Sequence, residues 1–553
     1  MKKTSLPSGP IFVSAAQIET KFQQAIQLHQ HGQLVQAKAL YESILAVQPK
    51  HAQSLHFLGV LAHQTGNLEP AIALIGRAIE VAPGQPAFYC NLGNVQLQLK
   101  RFQEAVTSYE RAISIKPDFA DAHANLGTAF AELKRFGDAL DSYNRAIAFQ
   151  PNHPNAFYNR GNALLALDKV EAAVTSFQKA ISLQPGFATA HCSLGAAFLT
   201  QGKLEEAINC ARKALSINPN LAEAHGNLAS ALLEQGKSAE AMPWFANVIG
   251  LAETVTAKAG FVRCVRRVTF NEANPTIQTL LVRAITEAWT RPSNLRVPAI
   301  SLVKQNPSIK RCLERVVSAW PKRLSIAELF GDSDLETIAE DPLLLCMLEC
   351  IPIASVEFER FVTLTRKVML DLVVNAEDLT LLEYVPPANI LTFCCAVARQ
   401  CFVSEYVYAC AEEEREQSEA LLLALTETLV AKVPVPAHWL AVAATYASLG
   451  SLPCVDAILE KMWPAPVNEL LKQQLLEPLQ EQSLRANIPA ITPIEDSVSL
   501  LVQTQYEENP YPRWFRTPAF IEPVSVNVFF SNKFPKSAFQ SIEQKDDVDI
   551  LIA

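Results

Sequence analysis

The sequence predicts an all-α protein that begins with a solenoid of helix–turn–helix repeats and continues into a second helical domain. The main observation is a proline that recurs every 34 residues. The six prolines of this series are Pro49, Pro83, Pro117, Pro151, Pro185 and Pro219. The second observation is the composition. Of the 553 residues, 49% are hydrophobic and 19% are charged, which is typical of a folded chain too long for one compact core.

Seven units of 34 residues become visible when each proline is placed near the end of its unit, and these units begin at 18, 52, 86, 120, 154, 188 and 222. One column of the first helix holds small residues: Ala25, Gly59, Gly93, Gly127, Gly161, Gly195 and Ala229. One column of the second helix is alanine throughout: Ala37, Ala71, Ala105, Ala139, Ala173, Ala207 and Ala241. We expect close helix crossings at these columns, because larger side chains would push the two backbones apart.

A further column is aromatic in five units, at Tyr41, Tyr109, Tyr143, Phe177 and Phe245. We expect these rings to fill the space between neighbouring units, and the periodic proline to end the second helix. The period and the columns resemble tetratricopeptide repeats, which stack into a superhelix. The two end units depart from the pattern at Gln24 and Glu253, as terminal repeats commonly do.

Asparagines recur on one face of the first helices, with Ser193 interrupting their column. The candidate peptide-binding residues are Asn91, Asn94, Asn125, Asn159, Asn162 and Asn227. First helices line the concave surface of tetratricopeptide repeats, and an amide side chain both donates to and accepts from an extended peptide backbone. We call this series of asparagines the ladder, and it resembles the asparagine ladder of O-linked N-acetylglucosamine transferases. The alternative interpretation is that these asparagines only cap or bridge helices within the array.

The histidines and cysteines favour structural roles. His123, His191 and His225 share a column that holds Tyr89 and Phe157 in other units, so we predict a packing position. The twelve cysteines show no paired CxxC spacing, so we expect buried free thiols and no metal site. The net charge of -9 and the lack of a segment rich in Lys or Arg make a nucleic-acid partner unexpected. With no bilayer-spanning stretch, we predict a cytoplasmic protein without a membrane partner.

The region from 256 to 500 has no 34-residue period but reads as helical, with long apolar-periodic stretches at 277–289 and 356–374. Recurrent prolines divide it into helices, which predicts an all-helical middle domain with a structural or partner-binding role. The charge run at 412–416 is predicted to be a solvated helix face. The predicted division is therefore a leader at 1–17, the repeats at 18–255, this middle domain at 256–500, and a last segment at 501–553.

The last segment contains YEENPYPRW at 506–514 and ends in the apolar run ILIA at 550–553. Pro510 and Pro512 disfavour a helix there. The ending is predicted to be a strand. These residues resemble bacterial proteins that join tetratricopeptide repeats to a class I S-adenosylmethionine-dependent methyltransferase, and AWTRPS at 288–293 and ELFG at 328–331 resemble the helical linker of that family.

In that family the strand corresponding to ILIA leads into a Gly-rich loop at the cofactor. The resemblance implies that Tyr506, Tyr511 and Trp514 lie near the cofactor. This sequence stops at Ala553 before such a loop, so we expect a short incomplete α/β remnant, no catalytic residue and no cofactor in this chain. S-adenosylmethionine is expected only in a longer protein. An apolar strand at a chain end favours aggregation, so we expect a fragment rather than a natural truncation.

Three functional hypotheses follow from the sequence. The first is a scaffold that binds a protein or extended peptide in the repeat groove. The second is the recruitment half of a protein whose full length is a methyltransferase, so that the whole gene product would be an enzyme. The third is O-linked glycosyl transfer, which follows only from the analogy of the asparagine ladder.

Overall fold

The computed structural model describes residues 15–331, 333–374 and 386–485. The chain divides into two compact units between Gly236 and Lys237. All regular elements of the described residues are helical, which confirms the predicted all-α fold for them. The boundaries predicted at 255 and 500 stay predictions, and the predicted α/β remnant lies outside the described residues.

The first unit is a superhelical array in which first and second helices alternate. Its helices are α1 (Ala15–Gln30), α2 (Leu34–Val47), α3 (Ala52–Gln64), α4 (Leu68–Val81), α5 (Pro86–Gln98), α6 (Phe102–Ile115), α7 (Ala120–Glu132), α8 (Phe136–Phe149), α9 (Pro154–Ala166), α10 (Val170–Leu183), α11 (Ala188–Thr200), α12 (Leu204–Ile217) and α13 (Ala222–Glu234). From the second repeat onward, each first helix begins at the predicted unit start. Each of the helices α2, α4, α6, α8, α10 and α12 ends two residues before the periodic proline.

The column of small residues lies against the aromatic column of the same repeat. A Cβ atom added to Gly93 would lie 2.6 Å from Cε1 of Tyr109, and one added to Gly127 would lie 2.7 Å from Cε1 of Tyr143. Both rings are buried. The prediction of a close helix crossing is confirmed. The rings, however, fill the space over the glycine of their own repeat, whereas the sequence suggested the space between repeats.

A second periodic feature, which the sequence analysis missed, lies in the turn between the two helices of each repeat. One residue of this turn has a positive φ, between 58° and 81°. The residues are Gly32, Gly66, Lys100, Lys134, Asp168, Gly202 and Gly236. Glycine adopts this conformation without a steric penalty, and three repeats adopt it with a larger side chain.

The second unit contains helices of uneven length. They are α14 (Ser238–Ala252), α15 (Val255–Val265), α16 (Pro275–Thr286), α17 (Arg296–Val303), α18 (Pro307–Ala319), α19 (Ile326–Phe330), α20 (Asp334–Ala339), α21 (Pro342–Cys350), α22 (Val356–Val374), α23 (Ala388–Val403), α24 (Glu412–Val430), α25 (Ala437–Ala443), α26 (Val455–Leu459), α27 (Ala465–Leu471) and α28 (Glu477–Arg485). Helix α22 coincides with the predicted stretch at 356–374. Prolines occupy the first position of α16, α18 and α21, where their missing N–H is not needed.

The acidic run at the start of α24 is not uniformly solvated, which corrects the sequence-based prediction. Glu412, Glu413 and Glu416 are exposed, but Glu414 is buried with a side chain only 1% exposed. Its carboxylate lies 3.1 Å from Nη2 of Arg366, which is itself buried on α22. The charge run at 412–416 therefore includes one residue that belongs to the core.

Candidate functional site

A groove of about 640 Å3 lies along the first helices in the middle of the repeat array. Helices α5, α7 and α9 line it, together with Phe187 at the N-cap of α11. Four of the predicted peptide-binding residues are among its lining residues: Asn91, Asn94, Asn125 and Asn159. The fold thus brings amide side chains from three successive repeats to one groove.

The other two predicted residues lie outside this lining. Asn162 is half-buried on α9. Asn227 lies on α13, where its Nδ2 donates to the carbonyl of Cys192 at 3.0 Å. Asn155, which the sequence analysis did not select, is exposed in the first turn of α9 and does line the groove. Its column holds Ala87 and Asp121 in the two preceding repeats, so no periodic signal marked it.

The amide nitrogens of the ladder bridge neighbouring repeats. Nδ2 of Asn91 contacts Nε2 of His56 in the preceding repeat at 2.8 Å. Nδ2 of Asn125 donates to Oδ1 of Asn94 at 2.9 Å, again one repeat back. These bonds agree with the alternative interpretation, in which the asparagines connect helices. They occupy only part of each amide, because the oxygen is a separate acceptor.

The carbonyl oxygens of the ladder differ in their hydrogen bonding. Oδ1 of Asn94 accepts twice, from Asn125 and from the hydroxyl of Tyr109 at 2.8 Å. Within the described part of the chain, Oδ1 of Asn125 and Oδ1 of Asn159 accept no hydrogen bond, although Nδ2 of Asn159 donates to Thr128 at 3.4 Å. These two oxygens remain available as acceptors at the groove.

Two tyrosines of the aromatic column donate hydrogen bonds to side chains in the ladder region. Tyr109 is fully buried against Gly93, and its hydroxyl reaches Asn94. In the next repeat, the hydroxyl of Tyr143 donates to Thr128 at 3.3 Å. Burial raises the pKa of Tyr109, and it raises the pKa of Tyr143 to about 12. Both hydroxyls therefore stay protonated near neutral pH and remain donors.

His56 forms the end of the bridging network. Its ring stacks on Phe88 with centroids 4.3 Å apart, and burial lowers its pKa to about 4. The imidazole is therefore neutral near pH 7, and Nε2 acts as the acceptor for Asn91. Its Nδ1 is buried and has no hydrogen-bond partner in the described residues. The geometry supports a packing role with one polar contact.

The column of histidines at the starts of the first helices connects each repeat to the one before it. The Nε2 atoms donate to the carbonyls of the periodic prolines six residues earlier, at distances of 2.9, 3.1 and 2.7 Å. These histidines are His123, His191 and His225. The bond satisfies a carbonyl just beyond a helix end. The structure therefore supports the predicted structural role and adds the hydrogen bond that defines it.

One end of the groove has a different character. Asp121 lies in the first turn of α7, and its side chain is 65% exposed. Nε2 of His153, from the next repeat, lies 3.4 Å from Oδ1 of Asp121. The half-buried rings of Phe119, Tyr158 and Phe187 line the groove nearby. This end thus combines one carboxylate with aromatic surface.

The second unit has a cavity of its own, of about 620 Å3. Trp320, Arg360, Val407 and Tyr408 are among its lining residues. The guanidinium of Arg360 lies 5.3 Å from the centroid of the Trp320 ring. This cavity gives the middle region a concave surface, but it holds none of the candidate residues selected from the sequence.

Several features concern ligands and compartments. All twelve cysteines are free thiols, and ten of them are buried. Across 15–331, 333–374 and 386–485, no group of three or more His, Cys, Asp or Glu side chains is arranged to hold a metal ion. None of the helices in that part of the chain is both long enough and apolar enough to cross a membrane. Tyr506, Tyr511 and Trp514, predicted to lie near a cofactor, are outside the described residues.

Solved structures with a similar repeat array include a tetratricopeptide-repeat protein, YrrB, described as having an unusual peptide-binding site. It is 20% identical, and the match covers 33% of this chain and 95% of that one with a TM-score of 0.30. PilF of Pseudomonas aeruginosa is 16% identical, with coverage of 38% and 95% and a TM-score of 0.35. A tetratricopeptide-repeat protein of Parabacteroides merdae is 15% identical, with coverage of 45% and 98% and a TM-score of 0.37. No curated protein matches the chain.

Family models of the tetratricopeptide repeat match most of the first unit and the start of the second. The matched segments are 28–89, 90–154, 161–202, 188–221, and the pair 142–175 and 210–242. They fall on the units that the proline period defined. Residues 28–242 are therefore an array of tetratricopeptide repeats.

Proposed function

We propose that this protein is an interaction scaffold whose repeat groove binds an extended peptide segment of a partner protein. One observation carries the proposal: asparagines of three successive repeats line a single groove, and Oδ1 of Asn125 and Oδ1 of Asn159 accept no hydrogen bond from the described residues. Each oxygen is free to accept a backbone N–H of a ligand. Since those acceptors belong to adjacent repeats, they suit a chain that runs along the groove.

The bridging bonds of the same asparagines support preorganisation of this surface. Each Nδ2 is already held by the preceding repeat, so the side chain loses little freedom when a peptide binds. The interpretation as a bridge and the interpretation as a binding ladder are therefore compatible in this array, because they use different atoms of the amide.

The test replaces Asn91, Asn125 and Asn159 with Ala in the full chain. The probe is a set of linear peptides selected on the wild-type protein from a random displayed library. We expect binding to weaken by about tenfold or more, since each lost hydrogen bond contributes about 1 kcal/mol. The helical circular dichroism signal should persist. Wild-type affinity in the triple variant, or a failure of the wild type to select any peptide, would refute the proposal.

Asn227→Ala is the matched control for stability. Asn227 belongs to the same column and makes the same kind of bridge, to the carbonyl of Cys192, but it lies outside the groove lining. We expect it to lower the stability by about 1 kcal/mol, as for one hydrogen bond, while leaving peptide binding unchanged. If it weakens binding as much as the groove substitutions do, the ladder acts through the stability of the array alone.

A second candidate function rests on the sequence at 506–514 and 550–553. We propose that the repeats and the middle domain form the recruitment half of a protein whose full length resembles an S-adenosylmethionine-dependent methyltransferase. The support is the resemblance of YEENPYPRW and ILIA to that family. Calorimetric titration of this chain with S-adenosylmethionine should give no heat of binding, because no GxGxG pattern occurs among its residues. Saturable micromolar binding would show that the cofactor site lies elsewhere in this chain.

The cytoplasm is the compartment we propose for this scaffold. The support is that twelve free thiols are tolerated without any disulfide. A reducing compartment keeps cysteines in this state.

A further inference from the structure

We propose that the peptide in the groove carries a Lys or Arg side chain, and that this cation pairs with Asp121 against the aromatic surface of Tyr158 and Phe187. The inference rests on the proposed peptide-binding function and names the chemistry of its ligand. It starts from the charge of the groove. Of the described residues that line it, Asp121 is the only carboxylate and none is Lys or Arg.

Asp121 is placed to receive a ligand. It occupies the first turn of α7 and lines the groove. The side chain is 65% exposed, so its charge faces the groove rather than the core. Asp121 lies four residues before Asn125 on the same helix, and both line the groove.

His153 lies beside this carboxylate. Nδ1 of His153 accepts the backbone N–H of Ala156 at 3.2 Å and so caps the start of α9. In the neutral ring the proton then resides on Nε2, which lies 3.4 Å from Oδ1 of Asp121. Oδ2 of Asp121 makes no contact with a cation in the described part of the chain. The His153 ring thus approaches one carboxylate oxygen, and the other is left for a ligand.

The aromatic rings supply the rest of the site. Tyr158 and Phe187 pack together with centroids 5.0 Å apart, and both remain half-buried at the groove. Aromatic faces attract Lys and Arg, and they also cover the apolar stem of such side chains. Phe119 already shows this contact, because Nζ of Lys116 lies 5.4 Å from the centroid of its ring. The ligand cation is therefore assigned to the Tyr158 side.

Neighbouring cations of the array do not occupy this position. Arg160 follows the ladder residue Asn159 but donates to Ser176 at 3.1 Å and lies over the ring of Phe157 at 5.0 Å. An acidic peptide, or a free C-terminal carboxylate, would meet Asp121 without any Lys or Arg in the lining. Charge complementarity thus favours a basic segment over an acidic one.

The experiment uses the full chain and a peptide selected from the random library. The peptide is synthesised with blocked ends in two forms, one with its Lys and one with norleucine in its place. We expect wild-type protein to prefer the Lys form by about threefold to tenfold, the range for an exposed ion pair combined with a cation–π contact. Asp121→Asn should reduce the preference to what the aromatic contact alone supplies, and added salt should reduce it in the wild type.

Asp141→Asn is the matched control, because Asp141 is exposed on α8 and does not line the groove. It changes the net charge equally and should keep the preference. The inference is overturned if the selected peptides show no enrichment of Lys or Arg, or if Asp121→Asn keeps the full wild-type preference. It is also overturned if the groove proves to hold a second copy of this chain, seen as self-association that Asp121→Asn disrupts. A wild type that selects no peptide at all refutes the proposed function instead.

Discussion

The two units of this protein are both helical, yet different kinds of contact hold their helices together. In four repeats of the first unit one contact recurs: a glycine of the first helix receives a large side chain of the second, as Gly127 receives Tyr143. In the second unit, a polar cluster contains the one ion pair of the described residues in which both side chains are at most 2% exposed. Glu414 of α24, Arg366 of α22 and Tyr446 after α25 meet there.

The cluster connects three segments that are distant in the sequence. Oε1 of Glu414 accepts from Nη2 of Arg366 at 3.1 Å and from the hydroxyl of Tyr446 at 2.8 Å. The guanidinium lies 4.6 Å from the centroid of the Tyr446 ring and also donates to the carbonyl of Ala409. Lys367 approaches the second carboxylate oxygen at 3.7 Å. Two buried charges are thus mutually compensated, and neither is tolerated alone.

The comparison teaches that a repeat array distributes its stability over many equivalent contacts, whereas the second unit concentrates part of it in one place. In a solenoid each repeat contacts only its neighbours, so a single defect stays local. A defect in the buried cluster leaves an unpaired charge inside the core. Substitutions in the two units should therefore differ in how much stability they cost and in how far along the chain their effect extends.

The largest effect is expected for Glu414→Gln, which removes the carboxylate and leaves Arg366 and Lys367 uncompensated. We expect the second unit to lose about 3–5 kcal/mol of its free energy of unfolding. Tryptophan fluorescence in a urea titration measures this, because all six tryptophans lie at or after Trp244 and none lies in the first unit. The fluorescence transition should shift to lower urea.

Glu416→Gln is its control, because Glu416 lies on the same helix, carries the same charge and is exposed. A surface substitution of this kind should change the stability by less than about 0.5 kcal/mol. Equal shifts for the two variants would mean that the buried cluster contributes no more than a surface charge does. The contrast between the units would then lose its basis.

A smaller effect is expected for Gly127→Ala in the array. Its Cβ would lie 2.7 Å from the buried ring of Tyr143, so the ring or the helix must move, at a cost of about 1–3 kcal/mol. Hydrogen exchange of peptides from α7 and α8 measures the change. The tryptophan fluorescence transition should stay in place, since the defect is confined to neighbouring repeats.

Gly195→Ala is the matched control in the same column. Ala211 replaces the aromatic ring in that repeat, and the nearest atoms to the new Cβ are 3.4 Å away. We expect no loss of stability, or a gain of up to about 1 kcal/mol in the free energy of unfolding, because alanine stabilises a helix interior relative to glycine. If both variants lose the same amount of hydrogen-exchange protection, the aromatic ring is not the reason that this column needs glycine.

Much of the array was predictable because its contacts are local and repeated. The start of α5 at Pro86 and the end of α6 at Ile115, two residues before Pro117, follow from the period alone. The small-residue column predicted the close helix crossing. The position of the rings within a repeat was not predictable, since a ring can pack on either side of its helix at the same spacing.

The candidate site was predictable only in part. Four ladder asparagines reach the groove as a set, because a 34-residue repeat returns them to the same face. Asn155 and Asp121 were missed, because neither recurs in its column, and His153 was missed although His51 occupies the same column. A single non-periodic residue carries no signal in a repeat, although it is the kind of residue that gives one groove its specificity.

By itself, the sequence determined the repeat, its helices and the column that faces the groove. These depend on the chain's own periodicity and on the size of side chains at fixed spacing. Only the tertiary structure decided which amide atoms stay free, which carboxylate stands at the groove, and that Glu414 is buried among charged neighbours. Hydrogen bonds and burial depend on which distant residues meet, and that is settled when the helices pack.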